Sequence, residues 1–331
     1  MKKFLIIQTA SIGDVILSTP VVEKLRHLYP GSTIDFLLKK GNEALFEGHP
    51  FLNEVILWDK SRHKYKNLLK LLSKVRRSKY DFIINLQRFG STGLITGLSG
   101  AKHRIGFDKN PFSFLFTLKK KHIINRESAI HETQRNLELI SDLSDQEDYP
   151  VKLYPGKKHF DRVSGYKNDD YICIAPASIW FTKQFPEKKW IEFLNRIDLN
   201  LTVLLLGSRN DFELCEKIRD NCDHKKTVNL AGKLTLLETA ALMKDAQMNF
   251  VNDSAPQHLA SSVNAPVTTV FCSTVPEFGF GPLSDDSAIV QTDEDLDCRP
   301  CGLHGFNKCP EGHFDCARTI DICQLTRRIP G

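Results

Sequence analysis

Residues 3–26 read KFLIIQTASIGDVILSTPVVEKLR. An apolar run of strand length passes through a short turn holding Gly13 and Asp14, then enters a helical pattern over 14–28. A strand handing over to a helix in this way opens an α/β unit. Glycine turns at such places usually cradle phosphate. A carboxylate repels phosphate, so Asp14 points to a different task. Pro20 is expected to end the first turns of the helix or kink it.

The alternation continues outward from this stretch. Apolar runs at 32–38, 54–58 and 80–86 read as strands, with helical patterns at 64–78 and 131–143. SDQEDYPVKLYPGKK (144–158) has the polar, proline-containing look of a linker. After it come strands at 170–175, 201–206, 226–229, 247–251 and 266–271, interleaved with helices at 187–197, 210–220, 235–245 and 255–263. Two such blocks in 331 residues predict two Rossmann-like domains with parallel sheets, 1–150 and 151–331. Ligands in such sheets bind beyond the carboxyl ends of the strands. Residues 8–14, 175–183, 207–213 and 252–258 are therefore expected around one cleft.

The composition is that of a globular protein, 41% apolar and 26% charged. No apolar stretch reaches the roughly 20 residues of a membrane span, and the start MKKFLII reads as a first strand of a cytoplasmic protein rather than a leader. The net charge of +5 is uneven. Residues 1–150 carry 24 basic and 16 acidic side chains, and 60–79 hold nine Lys and Arg with no acid. Tyr65, Leu68, Leu69, Leu72 and Val75 share a helical face there, so 64–78 is an amphipathic helix with basic flanks. It suits a solvated face or an anionic partner, either a phosphorylated molecule or a membrane surface. No nucleic-acid module is recognised, so nucleic acid is not an expected partner.

Five of the nine cysteines, at 173, 215, 222, 272 and 323, are scattered and suit small buried hydrophobes. Cys298, Cys301, Cys309 and Cys316 cluster as C-x2-C-x7-C-x6-C. Stable disulfides are not expected in a cytosolic chain. The C-x2-C half is a zinc signal, whereas the wider spacings make no double knuckle.

Neither a G-x-G-x-x-G nor a Walker loop is present, which argues against dehydrogenases and kinases. Instead, strand 247–251 runs into NDSAPQHLA (252–260), where Asp253 or Ser254 suits a helix cap and the helix start suits a pyrophosphate. His258 lies one turn into that helix. Lys183 lies in APASIWFTKQFPEKKW (175–190) among Trp180, Phe185 and Trp190. It reads as a surface lysine held by aromatic packing or as the cation of a diphosphate site. In LLLGSRNDFE (204–213), Asp211 and Glu213 suit either ribose hydroxyls or the N-terminus of their helix.

Together QTASIGDVILSTPVVEKLR, the 175–190 stretch, LLLGSRND and VNDSAPQHLASSVNAPVTTVF resemble the lipopolysaccharide heptosyltransferase family, glycosyltransferase family 9. The cysteine tail CRPCGLHGFNKCPEGHFDC is most similar to the heptosyltransferase II subgroup. The resemblance implies a GT-B fold, an N-terminal acceptor domain and a C-terminal ADP-sugar domain. It implies inverting transfer of heptose from ADP-heptose to the lipopolysaccharide inner core at the cytoplasmic face of the inner membrane, with peripheral membrane contact. No cofactor is required for this catalysis, and zinc on the four cysteines would be structural.

By the same resemblance Asp14 is the general base or a partner of the acceptor hydroxyl. Lys183 and the amides of Ser254 and Ala255 stabilise charge on the leaving diphosphate, and Asp253 meets the donor sugar or the leaving end. Thr182, Asp211, Glu213 and His258 complete the donor side. Ser11, Gly13, Arg88 in NLQRFGSTG and Arg104 in HRIGF form the acceptor side. The family often has glycine where Ala255 stands, and the segment after Cys316 is short for a crossing C-terminal helix. The rival readings are a glycosyltransferase for another nucleotide-sugar and a non-enzymatic metal-binding module.

Overall fold

The computed structural model describes residues 1–329 except 62, 144 and 146. Two compact units form. The first comprises Met1–Asn125 and Ile130–Tyr154, the second Arg126–Ala129 and the chain from Pro155 onward.

The first unit is a six-stranded parallel sheet ordered β3-β2-β1-β4-β5-β6. Its strands are β1 Lys3–Gln8, β2 Thr33–Lys39, β3 Glu54–Trp58, β4 Phe82–Asn85, β5 His103–Phe107 and β6 Leu118–Lys120. Phe4–Ile7 and Ile34, Phe36–Leu38 are fully buried, as expected for strands covered on both faces. The helical pattern that opens the chain divides. α1 is Ile12–Ile16 and α2 is Thr19–Leu28, with Pro20 in the first turn of α2, where its missing N–H costs nothing. The Ser18 and Thr19 hydroxyls donate to the Val15 and Ile16 carbonyls at 2.6 and 2.7 Å, closing the break. α3 (Lys64–Ser78) and α4 (Gly90–Leu98) follow, and α5 is Glu132–Glu138.

The face of α3 that meets the sheet differs from expectation. Leu71 and Val75 are buried with Leu68 packed beside them, while Tyr65 and Leu69 are 76% and 67% exposed. The apolar stripe is wider than the sheet contact, and its N-terminal edge turns to solvent.

The second unit repeats the design in the order β12-β11-β10-β7-β8-β9. After α6 (Lys157–Val163) its elements are β7 Tyr171–Ala175, α7 Glu187–Leu194, β8 Thr202–Leu205, α8 Phe212–Asn221, β9 Thr227–Asn229, α9 Leu236–Lys244, β10 Met248–Asn252, α10 Ala255–Ser262, β11 Val267–Phe271 and β12 Ser287–Gln291. Trp190, Phe193 and Phe250 are fully buried in its core. Cys173, Cys215, Cys222 and Cys272 are buried as expected, whereas Cys323 is only half-buried. From Phe314 onward the chain makes single turns, α11 (Asp315–Arg318) and α12 (Cys323–Thr326). Phe314, Ile320 and Leu325 of this segment enter the same core.

Candidate active site

The strand ends of the second unit meet on one carboxylate. The loop after β7 closes in a single turn, Phe181–Lys183, before α7 begins. Asn252, the last residue of β10, fastens that loop. Its Oδ1 accepts from the Phe185 amide at 3.0 Å and its Nδ2 donates to the Pro176 carbonyl at 2.7 Å. Lys183 Nζ then lies 2.6 Å from Asp253 Oδ2, with side chains 15% and 6% exposed. The Thr274 hydroxyl donates to the same oxygen at 2.5 Å. Residues following β7, β10 and β11 are thus joined. Desolvating two charges this far costs several kcal/mol, so the pair depends on its close geometry and on the added hydroxyl.

α10 starts beside this pair. Ser254 precedes it in extended conformation (φ −159°), caps no amide with its side chain, and donates its hydroxyl to the Asn252 carbonyl at 3.3 Å. In its first turn Pro256 carries no N–H and the Gln257 amide donates to the Ser254 carbonyl at 3.1 Å, so the amides at the very start of the helix are those of Ser254 and Ala255. His258 is buried. Asp211 performs the capping task left open by its sequence. Its Oδ2 accepts from the Ser208 amide and hydroxyl, both at 2.7 Å. Glu213 is exposed in the first turn of α8. The Thr182 hydroxyl accepts from the Phe306 amide at 2.7 Å and from the Ser273 hydroxyl at 3.0 Å, and Thr182 is 1% exposed. A hydroxyl so buried and bonded holds its neighbours in place, where a ligand contact was expected.

The four tail cysteines are neighbours, with Cys298, Cys301 and Cys309 all near the Cys316 thiol. Among the described residues no three His, Cys, Asp or Glu side chains are grouped to hold a metal ion. Cys298 Sγ lies 3.9 Å from His313 Nε2, and the Cys301 thiol donates to the Cys298 carbonyl at 3.3 Å. Burial pushes the Cys316 thiol up to about 12, which keeps it protonated at neutral pH.

In the first unit the strand ends gather around residues 8–14. Asp14 Oδ2 accepts from the Ser11 amide at 3.1 Å and also from the Ser11 hydroxyl, so the carboxylate is held at the third position of α1. Lys60, beyond β3, donates to Thr9 Oγ1 at 2.9 Å, and Asn42, beyond β2, donates to the Ala10 carbonyl at 3.1 Å. Gln87, beyond β4, donates to Gln8 Oε1. The two expected acceptor arginines differ. Arg104 spends its guanidinium on the Leu115 and Ala101 carbonyls at 2.9 and 2.6 Å. Arg88 is half-buried, and among the described residues no hydrogen bond or ion pair engages its side chain.

A family model described as Glycosyltransferase family 9 (heptosyltransferase) matches residues 68–304. The chain belongs to glycosyltransferase family 9. It is 28% identical over 280 residues to lipopolysaccharide heptosyltransferase 3 of Escherichia coli K12, covering 79% of this chain and 80% of that protein. Two solved structures share the fold. The family 9 glycosyl transferase of Veillonella parvula DSM 2008 has a TM-score of 0.85 at 20% identity, covering 99% of this chain and 96% of that one. ADP-heptose LPS heptosyltransferase II of E. coli has a TM-score of 0.77 at 21% identity, covering 91% of this chain and 96% of that one. The two parallel sheets of this family 9 enzyme are those of a GT-B glycosyltransferase.

Sequence reasoning missed Thr274, Ser273 and Lys60 in this glycosyltransferase. The signal was available. Ser273 and Thr274 follow the end of an expected strand, and Lys60 follows another, where α/β sheets place their ligands.

Proposed function

We propose that this glycosyltransferase moves heptose from ADP-heptose to the lipopolysaccharide inner core with inversion at the anomeric carbon. The observation that carries the reading is the Lys183–Asp253 pair at the start of α10. A cation beside the Ser254 and Ala255 amides at a helix start suits a diphosphate, and the family supplies heptosyl transfer as the chemistry. The lipopolysaccharide acceptor is taken from the named relative, and the ADP-sugar donor from the E. coli structure that shares the fold.

In this reading the second unit carries the donor and the first the acceptor. Asp14 takes the proton of the acceptor hydroxyl as its oxygen attacks the anomeric carbon. The bond from that carbon to the β-phosphate oxygen breaks, and ADP departs with the electron pair. Lys183 and the Ser254 and Ala255 amides stabilise the charge as it grows on the diphosphate. Asp253 orients Lys183 and meets the sugar end of the donor. Arg88 pairs with an acceptor anion. No metal takes part in these steps, and the tail cysteines brace the second unit.

We propose that the exposed edge of α3 meets an anionic membrane surface, with the enzyme working at the cytoplasmic face of the inner membrane. No helix is long and apolar enough to cross it among the described residues. ADP release from ADP-heptose on truncated core acceptors, beside UDP- and GDP-sugars, tests the reaction. Equal turnover of another nucleotide-sugar would reject the donor.

A further inference from the structure

The tail that carries the four cysteines touches Lys183 through backbone rather than through sulfur. Phe306 makes two bonds to Thr182. Its amide donates to the Thr182 hydroxyl at 2.7 Å, and its carbonyl accepts from the Thr182 amide at 3.0 Å. Gly305 has φ +77°, and a Cβ placed there would stand 3.0 Å from both Lys183 Cγ and Thr182 Oγ1. The aliphatic stem of Lys183 therefore runs along bare glycine backbone. Below this contact, Ser273 donates its amide to the Thr182 carbonyl at 3.2 Å and its hydroxyl to Thr182 Oγ1 at 3.0 Å. The Ser273 carbonyl in turn accepts from the Cys301 amide at 2.8 Å.

The far end of the tail is fixed independently. The Arg299 guanidinium donates to the Cys272 and Thr274 carbonyls at 2.8 and 2.9 Å and to Gln291 Oε1 at 2.7 Å. The Phe314 ring packs on Phe181 with centroids 5.0 Å apart. The two anchors, at Arg299 and Phe314, bracket the segment 301–306 and limit how far it can leave Thr182. The backbone amide, carbonyl and hydroxyl of Thr182 are all engaged by the tail or by Ser273.

We propose that residues 301–306 are a strap that positions Lys183, with Thr182 and Gly305 as positioning residues for the ammonium that meets the donor diphosphate. A lysine has four rotatable bonds, and an unrestrained one gives up that freedom when it binds. The strap removes most of the freedom beforehand, which favours nucleotide binding and keeps the charge where the leaving group forms. The inference rests on the donor-side reading of Lys183.

Four variants test it, with ADP titration, steady-state constants and thermal midpoints measured on each. Lys183→Ala should weaken ADP about tenfold or more, the size of one charge-assisted contact. Thr182→Val keeps shape but loses the hydroxyl. It should weaken ADP several-fold and raise the KM of the nucleotide-sugar while the acceptor KM holds. Thr182→Ser should restore both. Gly305→Ala removes no hydrogen bond but puts a methyl group on a left-handed backbone and against the lysine stem, so it should show the Thr182→Val pattern with a modestly lowered midpoint. It decides the matter if Thr182→Val does not fold. If both variants bind ADP like the parent while Lys183→Ala does not, the strap is rejected and the donor reading stands. If Lys183→Ala also binds ADP like the parent, the donor reading falls and takes the strap with it.

Discussion

Lys183 Nζ sits 2.6 Å from Asp253 Oδ2, so the cation expected to meet a diphosphate is already paired within its own unit. A ligand phosphate must share Lys183 with this carboxylate or draw it away. Asp253→Asn removes the competing charge and keeps the shape. ADP should bind at least as tightly to this variant as to the parent, while transfer falls. Calorimetry with ADP beside turnover measurements checks this, and a large loss of ADP affinity would show that Asp253 itself holds the nucleotide.

Asp14 is held by the amide and hydroxyl of Ser11 at the start of α1. Asp14→Asn should lower turnover by roughly 10²–10⁴, the range for loss of a general base. Because Asp14 belongs to the first unit and the proposed nucleotide site to the second, ADP affinity should stay near that of the parent. Normal turnover in this variant would remove Asp14 from the mechanism.

Arg88 and Arg104 should separate cleanly. Arg88→Ala should raise the acceptor KM and leave the nucleotide-sugar KM and the denaturation midpoint unchanged. Arg104→Ala breaks two charge-assisted bonds to carbonyls and should cost on the order of 1–3 kcal/mol of stability with little effect on KM. Urea unfolding with kinetics on both variants measures the contrast. The reverse pattern would exchange their roles.

The outer edge of α3 presents Tyr65 and Leu69 among Lys66, Lys70 and Arg76, all exposed. Lys74 is ion-paired with Glu54 of β3 and contributes less to this face. Vesicles rich in anionic lipid should retain the parent protein on flotation at low salt. A variant with Tyr65→Ser, Leu69→Ser and Lys70→Glu should stay behind. Equal flotation of the two would rule out this face.

His49 lies among Phe46, Phe51 and Tyr154, with its Nε2 3.9 Å from Glu23 Oε1. Burial lowers its pKa from 6.5 to about 4. Between those values the unfolded chain binds a proton that the folded protein refuses, so stability rises with pH across the window. The contribution is complete above pH 6.5 and is lost as the pH falls towards 4, by up to roughly 3 kcal/mol. Glu23, raised by burial, works in the opposite direction through a smaller shift. Urea midpoints from pH 7 to 4.5 should therefore fall, and His49→Phe should flatten the fall. An equal slope in both proteins would show that other groups carry it.

Much of this architecture was readable because doubly covered strands are nearly continuous apolar runs, as in FLII at 4–7 and YICIA at 171–175. Shorter or more polar strands escaped. β6 is the three residues LKK at a sheet edge, and β12, SAIVQ, also lies at an edge with one buried side chain in five. These two edge strands are too short or too exposed to show an apolar run, whereas the edge strand β3, EVILW, kept enough apolar residues to be expected. Lys183 and Asp253 follow expected strands, so their meeting at the strand ends was legible from position. The tail was legible only as a set of cysteines. What it does at Lys183 runs through the backbone of Phe306 and the missing side chain of Gly305, and backbone bonding leaves no pattern in residue types.

The grouping of Arg126–Ala129 with the second unit has a practical consequence for hybrid enzymes. On the proposed division of roles, acceptor preference could be exchanged between relatives by joining the first unit of one to the second unit of another after Tyr154. Such a crossover would carry residues 126–129 along with the wrong parent. A graft that keeps these four residues, like the tail through Leu325, matched to the recipient's nucleotide half should fold better than one cut at a single point.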